Sequence, residues 1–202
     1  MWRAPWWLGS AGVTFGVGAW LWGGLHAFRS ELRARHGVIL VSATWLALPL
    51  VACLPLMMVL HAIGRELDFS YAYFEAVSGL TTSGATVLQG LDSLPLSINV
   101  WRTFLQWIGG MGILVLAVAV LPMFGMGGSQ MFRAEVAGPI KDNRLTPRIT
   151  QTAKGLWGIY VTLSLACFLA YWAGGMTPMD ALMHMFATVS LGGLSSHDAS
   201  FG

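Results

Sequence analysis

Four long runs of apolar residues alternate with more polar segments along the chain. They cover residues 4–27, 37–63, 103–124 and 155–173, and each is uncharged or nearly so. Each is close to the roughly 20 residues that an α-helix needs to cross about 30 Å of hydrocarbon at about 1.5 Å per residue. The pattern therefore predicts four membrane-spanning helices.

The first run, 4–27, follows Arg3 and contains small residues, as a secretory signal would. It is too long and too rich in tryptophan for a signal. Tryptophans near both of its ends suit the two membrane interfaces, where amphipathic aromatic rings settle. We therefore expect a spanning helix that is retained.

Composition agrees with a chain embedded in lipid. Of the 202 residues, 55% are hydrophobic and 10% are charged, whereas soluble domains carry about 25% charged residues. The net charge of +2 is too small and too scattered to indicate a nucleic-acid partner. Cys53 and Cys167 stand alone in separate apolar runs, without the spacing of a metal site, and are expected to be small hydrophobic side chains.

Most of the basic residues fall in two of the loops between these runs. One loop holds Arg29, Arg33 and Arg35, and the segment 125–154 holds five further lysines and arginines. Cytoplasmic loops are enriched in these residues. Both loops are therefore assigned to the cytoplasm, and residues 64–102 to the outside.

Between the second and third runs lies an apolar stretch, residues 69–79, that is too short to span. As a helix it would be only about 16 Å long. Ser70 is a suitable N-cap, Gly79 suits a left-handed turn at the helix end, and LTTSGATV follows. Irregular backbone at membrane depth is tolerated only where it lines protein or water. The pattern predicts a half-helix that enters the membrane and turns back as a pore loop.

The same outline recurs 109 positions later, where Gly193 corresponds to Gly84. Thr177 is the expected cap, Pro178 takes the first helical position, and MDALMHMFATV leads into SLGGLSS. Extended backwards without a gap, the alignment places 37–63 on 146–172. The sequence thus predicts an internal repeat of helix, half-helix and filter-like strand.

Such a unit is suited to holding a cation. A half-helix brings roughly half a negative charge to its C-terminal end, and exposed backbone carbonyls beyond it can replace the hydration shell of an ion, as in potassium filters. The residues there should be small or hydroxylated, with glycine where the backbone needs a conformation closed to other residues. The candidate ligands, through their backbone carbonyls, are Thr81, Thr82, Ser83, Gly84, Ser190, Leu191, Gly192 and Gly193.

Three blocks of this chain resemble a known family: SGLTTSGATVLQGLDSLPLSINVWR, QWIGGMGILVLAVAVLP and FATVSLGGLSSHDASFG. They are similar to the membrane subunit of the bacterial Trk/Ktr-type potassium uptake family. The resemblance implies four fused helix, pore-helix and helix units with one filter glycine in each, of which Gly84 and Gly193 would be the first two. We expect the chain to be the N-terminal part of such a protein.

The resemblance also implies a biological setting. Potassium would be the transported substrate, with no cofactor, in a multi-pass protein of the bacterial inner membrane. The family suggests a homodimer and a nucleotide-binding regulatory subunit in the cytoplasm, which the segment 125–154 could contact. The alternatives of another class are a non-conducting membrane scaffold and, more weakly, an intramembrane enzyme, for which no catalytic pair is recognisable.

The predicted fold class is an all-α polytopic membrane protein built from repeated helix, re-entrant half-helix and helix units as in potassium channels. Its expected divisions are an N-terminal helix and loop (1–36), a first complete unit (37–124), a cytoplasmic linker (125–145) and a second unit that ends after its filter strand (146–202).

Glu75 lies on the first half-helix, where an acidic residue is a functional candidate. It could attract cations, or its carboxylate could accept backbone hydrogen bonds and support the filter strand. We favour support, because His184 takes the equivalent place in the second unit. The five histidines are expected at interfaces or in loops, since they lack paired metal-site spacing. In IGGMGI, Gly109, Gly110 and Gly112 favour close helix packing over a gate.

Overall fold

A computed structural model describes residues 34–120 and 145–199, together with scattered positions between 9 and 24. All regular structure in these residues is helical, and the all-α prediction is confirmed. The helices are α1 (Ala34–His61), α2 (Phe69–Leu80), α3 (Leu96–Val120), α4 (Leu145–Ala173) and α5 (Pro178–Val189), with a 3₁₀ turn at Leu91–Ser93. The predicted first span (4–27) and the linker (125–145) lie largely outside the described residues.

Two of the described helices are long and apolar enough to cross a membrane. They are Val41–His61, with a mean hydropathy of 2.1, and Gln151–Ala173, with a mean hydropathy of 1.6. These segments correspond to the second and fourth predicted spans. The third, 103–124, continues past the described residues, and α3 begins before it at Leu96 and carries polar side chains in its first half.

The half-helix α2 is 12 residues long, one residue more than the predicted stretch 69–79, and its ends differ from the expectation. Asp68, not Ser70, is the N-cap, because its carboxylate accepts a hydrogen bond from the Ser70 backbone N–H at 3.1 Å. Gly79 remains helical and does not make a left-handed turn. A Cβ there would lie 3.1 Å from the Leu105 Cβ on α3, so Gly79 permits close helix packing.

The second half-helix, α5, is also 12 residues long, and its predicted start is confirmed. Thr177 is the N-cap, Pro178 follows, and the Thr177 Oγ1 accepts from the Asp180 N–H at 3.3 Å. Pro178 lies 109 positions after Phe69, and Val189 lies 109 positions after Leu80. The two half-helices therefore correspond end to end.

The spanning helices do not follow the same spacing. After α1, Gly64 (φ +77°) donates to the His61 carbonyl, and after α4, Gly175 (φ +98°) donates in the same way to the Trp172 carbonyl. Gly175 lies 111 positions after Gly64, and Trp172 lies 111 positions after His61. The gapless placement of 37–63 on 146–172 is therefore wrong by two residues, because the second unit has a shorter link between its spanning helix and its half-helix.

Helix α3 lies at the centre of the described part, because it packs against all four other helices. Between α1, α2 and α3 lies a core that includes Cys53, which is fully buried as a small apolar side chain. From the second unit, Phe186 of α5 packs against Phe104 and Trp107 of α3, with ring centroids 5.6 Å apart in both pairs. Both half-helices are thus mounted on α3.

Glycines of α3 allow this close approach. A Cβ on Gly109 would overlap the backbone at Leu80, the last residue of α2, and one on Gly110 would lie 2.9 Å from the Tyr160 hydroxyl. At Gly112 it would make only an ordinary contact, 3.7 Å from Trp45. The packing interpretation therefore fits Gly109 and Gly110.

Candidate ion-conduction site

The two predicted filter segments, residues 81–84 and 190–193, have matching backbones. Thr82 and Leu191 have φ of +56° and +58°, and Gly84 and Gly193 have φ of +73° and +74°. The hydrogen bonds match as well, since the Ser83 N–H donates to Ser78 and the Gly192 N–H donates to Ala187. The predicted repeat is thus found in the half-helices and in the segments after them.

Positive φ at Thr82 and Leu191 was not expected from the sequence, which placed such conformations at glycines only. In the left-handed region, a residue with a Cβ is less stable by about 1–2 kcal/mol. Strained positions of this kind persist only where the surroundings fix them, and they cluster at functional sites. Their recurrence at equivalent places indicates that this turn shape is needed in both units.

The three glycines of the two segments are required for different reasons. Gly84 combines a positive φ with a lack of space, because a Cβ would overlap the carbonyl oxygen of Gly192. Gly193 has the positive φ with no described atom within 4 Å of such a Cβ. Gly192 lacks a positive φ, but its Cβ would overlap the side-chain amide of Gln106. The first and second segments therefore meet at Gly84 and Gly192.

Glu75 is buried, with 1% of its surface exposed. Both of its carboxylate oxygens contact polar groups of neighbouring residues. Its Oε1 accepts hydrogen bonds from the Thr86 hydroxyl at 2.5 Å and from the Val87 N–H at 2.6 Å. Its Oε2 lies 3.1 Å from Nε of Arg102, which is 1% exposed. A carboxylate neutralised by an arginine attracts a free cation weakly, so this geometry favours the supporting role.

The position equivalent to Glu75 in the second unit is His184, and it has different contacts. His184 is buried on α5, with its Nδ1 2.8 Å from the Asp180 carbonyl of the same helix. Its ring stacks on that of His197, with centroids 6.3 Å apart. The two units therefore share a backbone shape but hold it with different side chains.

His197 joins the loop of the first unit to the half-helix of the second. Its Nδ1 lies 2.6 Å from Oδ1 of Asp92, and its Nε2 lies 3.2 Å from Oδ1 of Asp180. The hydrogen bond with Asp92, followed by that with Asp180, raises the pKa of His197 above its ordinary value. The same contact lowers the pKa of the Asp92 carboxyl. Two other ionisable residues lie near His197. They are His184, whose ring stacks on it, and Asp198, whose backbone N–H lies 3.5 Å from the Asp92 carboxylate.

Within the described residues, no cluster of His, Cys, Asp and Glu is arranged to hold a metal ion.

Sequence reasoning missed Asn99, Arg102 and Gln106 on α3, all of which contact the segment after Gly193. A signal for them exists. Three polar residues spaced by three and four positions lie on one face of a helix, and polar residues are rare in membrane helices unless they have a function.

Paired half-helices that turn back side by side on a central helix define a pore-loop membrane protein. Residues 10–202 match the family model described as "TrkH: Cation transport protein". The chain belongs to this family, and the match confirms the resemblance found in the sequence. The family is one of transporters, which are not a class of enzymes.

Individual relatives agree with the family. The chain is 50% identical over 202 residues to the Trk system potassium uptake protein TrkH of Halomonas elongata, covering 100% of this chain and 41% of that protein. It is 50% identical over 190 residues to the protein of the same name from Escherichia coli K12, covering 94% and 39%. The crystal structure of the potassium transporter TrkH from Vibrio parahaemolyticus matches with a TM-score of 0.79 and 42% identity, covering 96% of this chain and 37% of that one. The chain thus spans about two fifths of the length of its relatives.

Proposed function

We propose that this chain supplies two of the four filter segments of a potassium uptake protein. The observation that carries the proposal is the pair of segments with equal backbone angles that meet at Gly84 and Gly192. Their carbonyls are the proposed potassium ligands, in the first unit those of Thr81, Thr82, Ser83 and Gly84, and in the second those of Ser190, Leu191, Gly192 and Gly193.

The proposed mechanism is passive conduction. Each half-helix brings the partial negative charge of its C-terminal end to the segment that follows it. Backbone carbonyls replace the water around a cation, and the membrane potential drives the ion inward. Potassium is therefore a substrate rather than a cofactor. The names of the relatives, all from bacteria, support potassium as the ion.

Glu75 is proposed to support the first filter segment. Its carboxylate accepts from two consecutive backbone N–H groups, those of Val87 at 2.6 Å and Leu88 at 3.2 Å, just beyond Gly84. These contacts fix the chain that leaves the filter without placing the carboxylate on the ion path.

The proposed setting is the bacterial inner membrane, crossed several times, with a homodimer and a nucleotide-binding cytoplasmic subunit as partners. Support comes from the two candidate spans and from relatives that belong to a named uptake system. The linker proposed to contact the cytoplasmic subunit lies outside the described residues.

Flux measurements on the full-length protein test the function. The protein that contains this segment is reconstituted into liposomes, and potassium and sodium fluxes are measured under equal gradients, with protein-free liposomes as the control. We expect potassium flux well above sodium flux. No potassium flux, or equal flux of both ions, would overturn the selective pore and favour the non-conducting scaffold.

A further inference from the structure

One face of α3 carries three buried polar side chains, Asn99, Arg102 and Gln106, which we call the α3 polar stripe. Their exposed fractions are 5%, 1% and 0%. Burying such groups is unfavourable unless each one is hydrogen-bonded. Their partners therefore indicate what the stripe is for.

The stripe contacts three consecutive residues of the second unit, directly after Gly193. Asn99 Nδ2 donates to the Ser196 carbonyl at 3.1 Å, and Arg102 donates to the Ser195 carbonyl at 3.5 Å, the longest of the three contacts. Gln106 Oε1 accepts from the Leu194 N–H at 3.2 Å. An inner helix of the first unit thus fixes the backbone that leaves the second filter segment.

Arg102 also reaches the first filter segment. Its Nε pairs with Glu75 at 3.1 Å, and another guanidinium nitrogen donates to the Thr86 hydroxyl at 2.8 Å. Thr86 and Ser195 are 109 positions apart and are therefore equivalent in the repeat. One guanidinium joins the same point of both segments, which its planar fork of five N–H donors allows and a lysine ammonium does not.

Gln106 also explains a difference between the units. The position of Ser83 in the first unit is taken by Gly192 in the second. The Ser83 hydroxyl lies 3.0 Å from that of Ser78, whereas a Cβ on Gly192 would overlap the Gln106 amide. The stripe and the second filter segment are therefore fitted to each other.

We propose that the α3 polar stripe is a positioning element that couples the first two filter segments, so that ion selectivity depends on Arg102 and Gln106. The inference rests on the proposed potassium pore. None of these side chains touches the ion; they act through the backbone after each filter segment.

The test uses the full-length protein in liposomes and measures the potassium-to-sodium permeability ratio. Arg102→Lys keeps the charge but loses the fork, and Gln106→Leu keeps the size but loses the hydrogen bond. For each variant the ratio should fall about fivefold, the effect of one lost hydrogen bond. Thr103→Val is the matched control, because within the described part of the chain the buried Thr103 hydroxyl bonds only to carbonyls of its own helix. This control should keep the wild-type ratio.

Gly192→Ala supplies a second, independent readout. In the wild-type background, we expect Gly192→Ala to lower the potassium-to-sodium permeability ratio strongly. In the Gln106→Ala background, we expect it to lower the ratio little further, because the space that the Gln106 amide occupies is then free. An equal loss in both backgrounds would overturn the contact.

The outcomes separate this inference from the function on which it rests. A wild-type protein that does not discriminate between the ions refutes the proposed pore. A selective wild type whose Arg102→Lys and Gln106→Leu variants match Thr103→Val refutes the positioning role alone. Thermal unfolding of each variant shows whether it has folded. If Arg102→Lys has not folded, the permeability ratio of Gln106→Leu decides whether the positioning role holds.

Discussion

Replacing Gly193 by alanine isolates the conformational requirement of the second filter segment. Its φ is +74°, and a new Cβ would meet no described atom within 4 Å. The change therefore adds backbone strain without a clash. The left-handed conformation is less favourable for alanine by about 1–2 kcal/mol, which lowers the population of the native segment by a factor of about 5–30.

Gly64 offers a matched control outside the filter. Its φ is +77°, and a Cβ there would also meet no described atom within 4 Å. Gly64→Ala should therefore lower stability by the same amount as Gly193→Ala without changing selectivity. Gly84→Ala should have the largest effect of the three, because its Cβ would also overlap the Gly192 carbonyl.

The assay pairs thermal unfolding of the full-length protein with potassium and sodium flux in liposomes. We expect similar melting temperatures for Gly193→Ala and Gly64→Ala, with loss of selective potassium flux in Gly193→Ala alone. If both variants keep wild-type selectivity, the left-handed conformation at Gly193 is not needed for the filter. If both lose it equally, the effect is a general loss of stability, and the reasoning fails.

Three further predictions concern packing, capping and charge. Gly109→Ala should lower the melting temperature far more than Gly112→Ala, since only the first would overlap the end of α2; equal melting temperatures would exclude that close contact. Asp68→Ala should cost about 1 kcal/mol in free energy of unfolding and Asp68→Asn much less, because asparagine also caps; equal losses would argue against the cap. The pKa of His197 is raised above 6.5, chiefly by Asp92, so its stabilising contribution is complete below pH 6.5 and is lost as the pH rises through the folded-state pKa. The advantage of the wild type over His197→Gln in melting temperature should shrink accordingly, and a pH-independent advantage would contradict this.

The sequence predicts features of the half-helices that depend on local chemistry. The length of α2 follows from its apolar stretch to within one residue, and the start of α5 follows from Thr177 and Pro178. At the start of α2, Asp68 and Ser70 are both good capping residues, and propensity alone does not choose between them. The choice depends on which side chain reaches a free N–H, and here it is Asp68.

The reason for a particular glycine depends on its neighbours in space. The sequence does not distinguish the roles of three glycines, Gly79, Gly84 and Gly192. In the structure, Gly79 leaves room for α3, and Gly192 leaves room for the Gln106 side chain. Gly84 supplies a positive φ. Sequence reasoning treated all three as conformational. It had no way to know which helix would pack behind each segment.

The pairing of Glu75 with Arg102 was missed, although charge balance could have predicted it. A buried charge whose partner is removed costs about 3–5 kcal/mol, so a glutamate on a membrane half-helix requires a basic neighbour. Between Arg65 and Arg133, Arg102 is the only lysine or arginine, and Arg65 is used elsewhere, donating to the Gln89 carbonyl. Once Glu75 is placed in the membrane, Arg102 is the remaining basic partner in that part of the chain. Since Arg102 lies on the helix that follows the first filter segment, the same balance predicts that this helix packs directly behind the half-helix, as it does here.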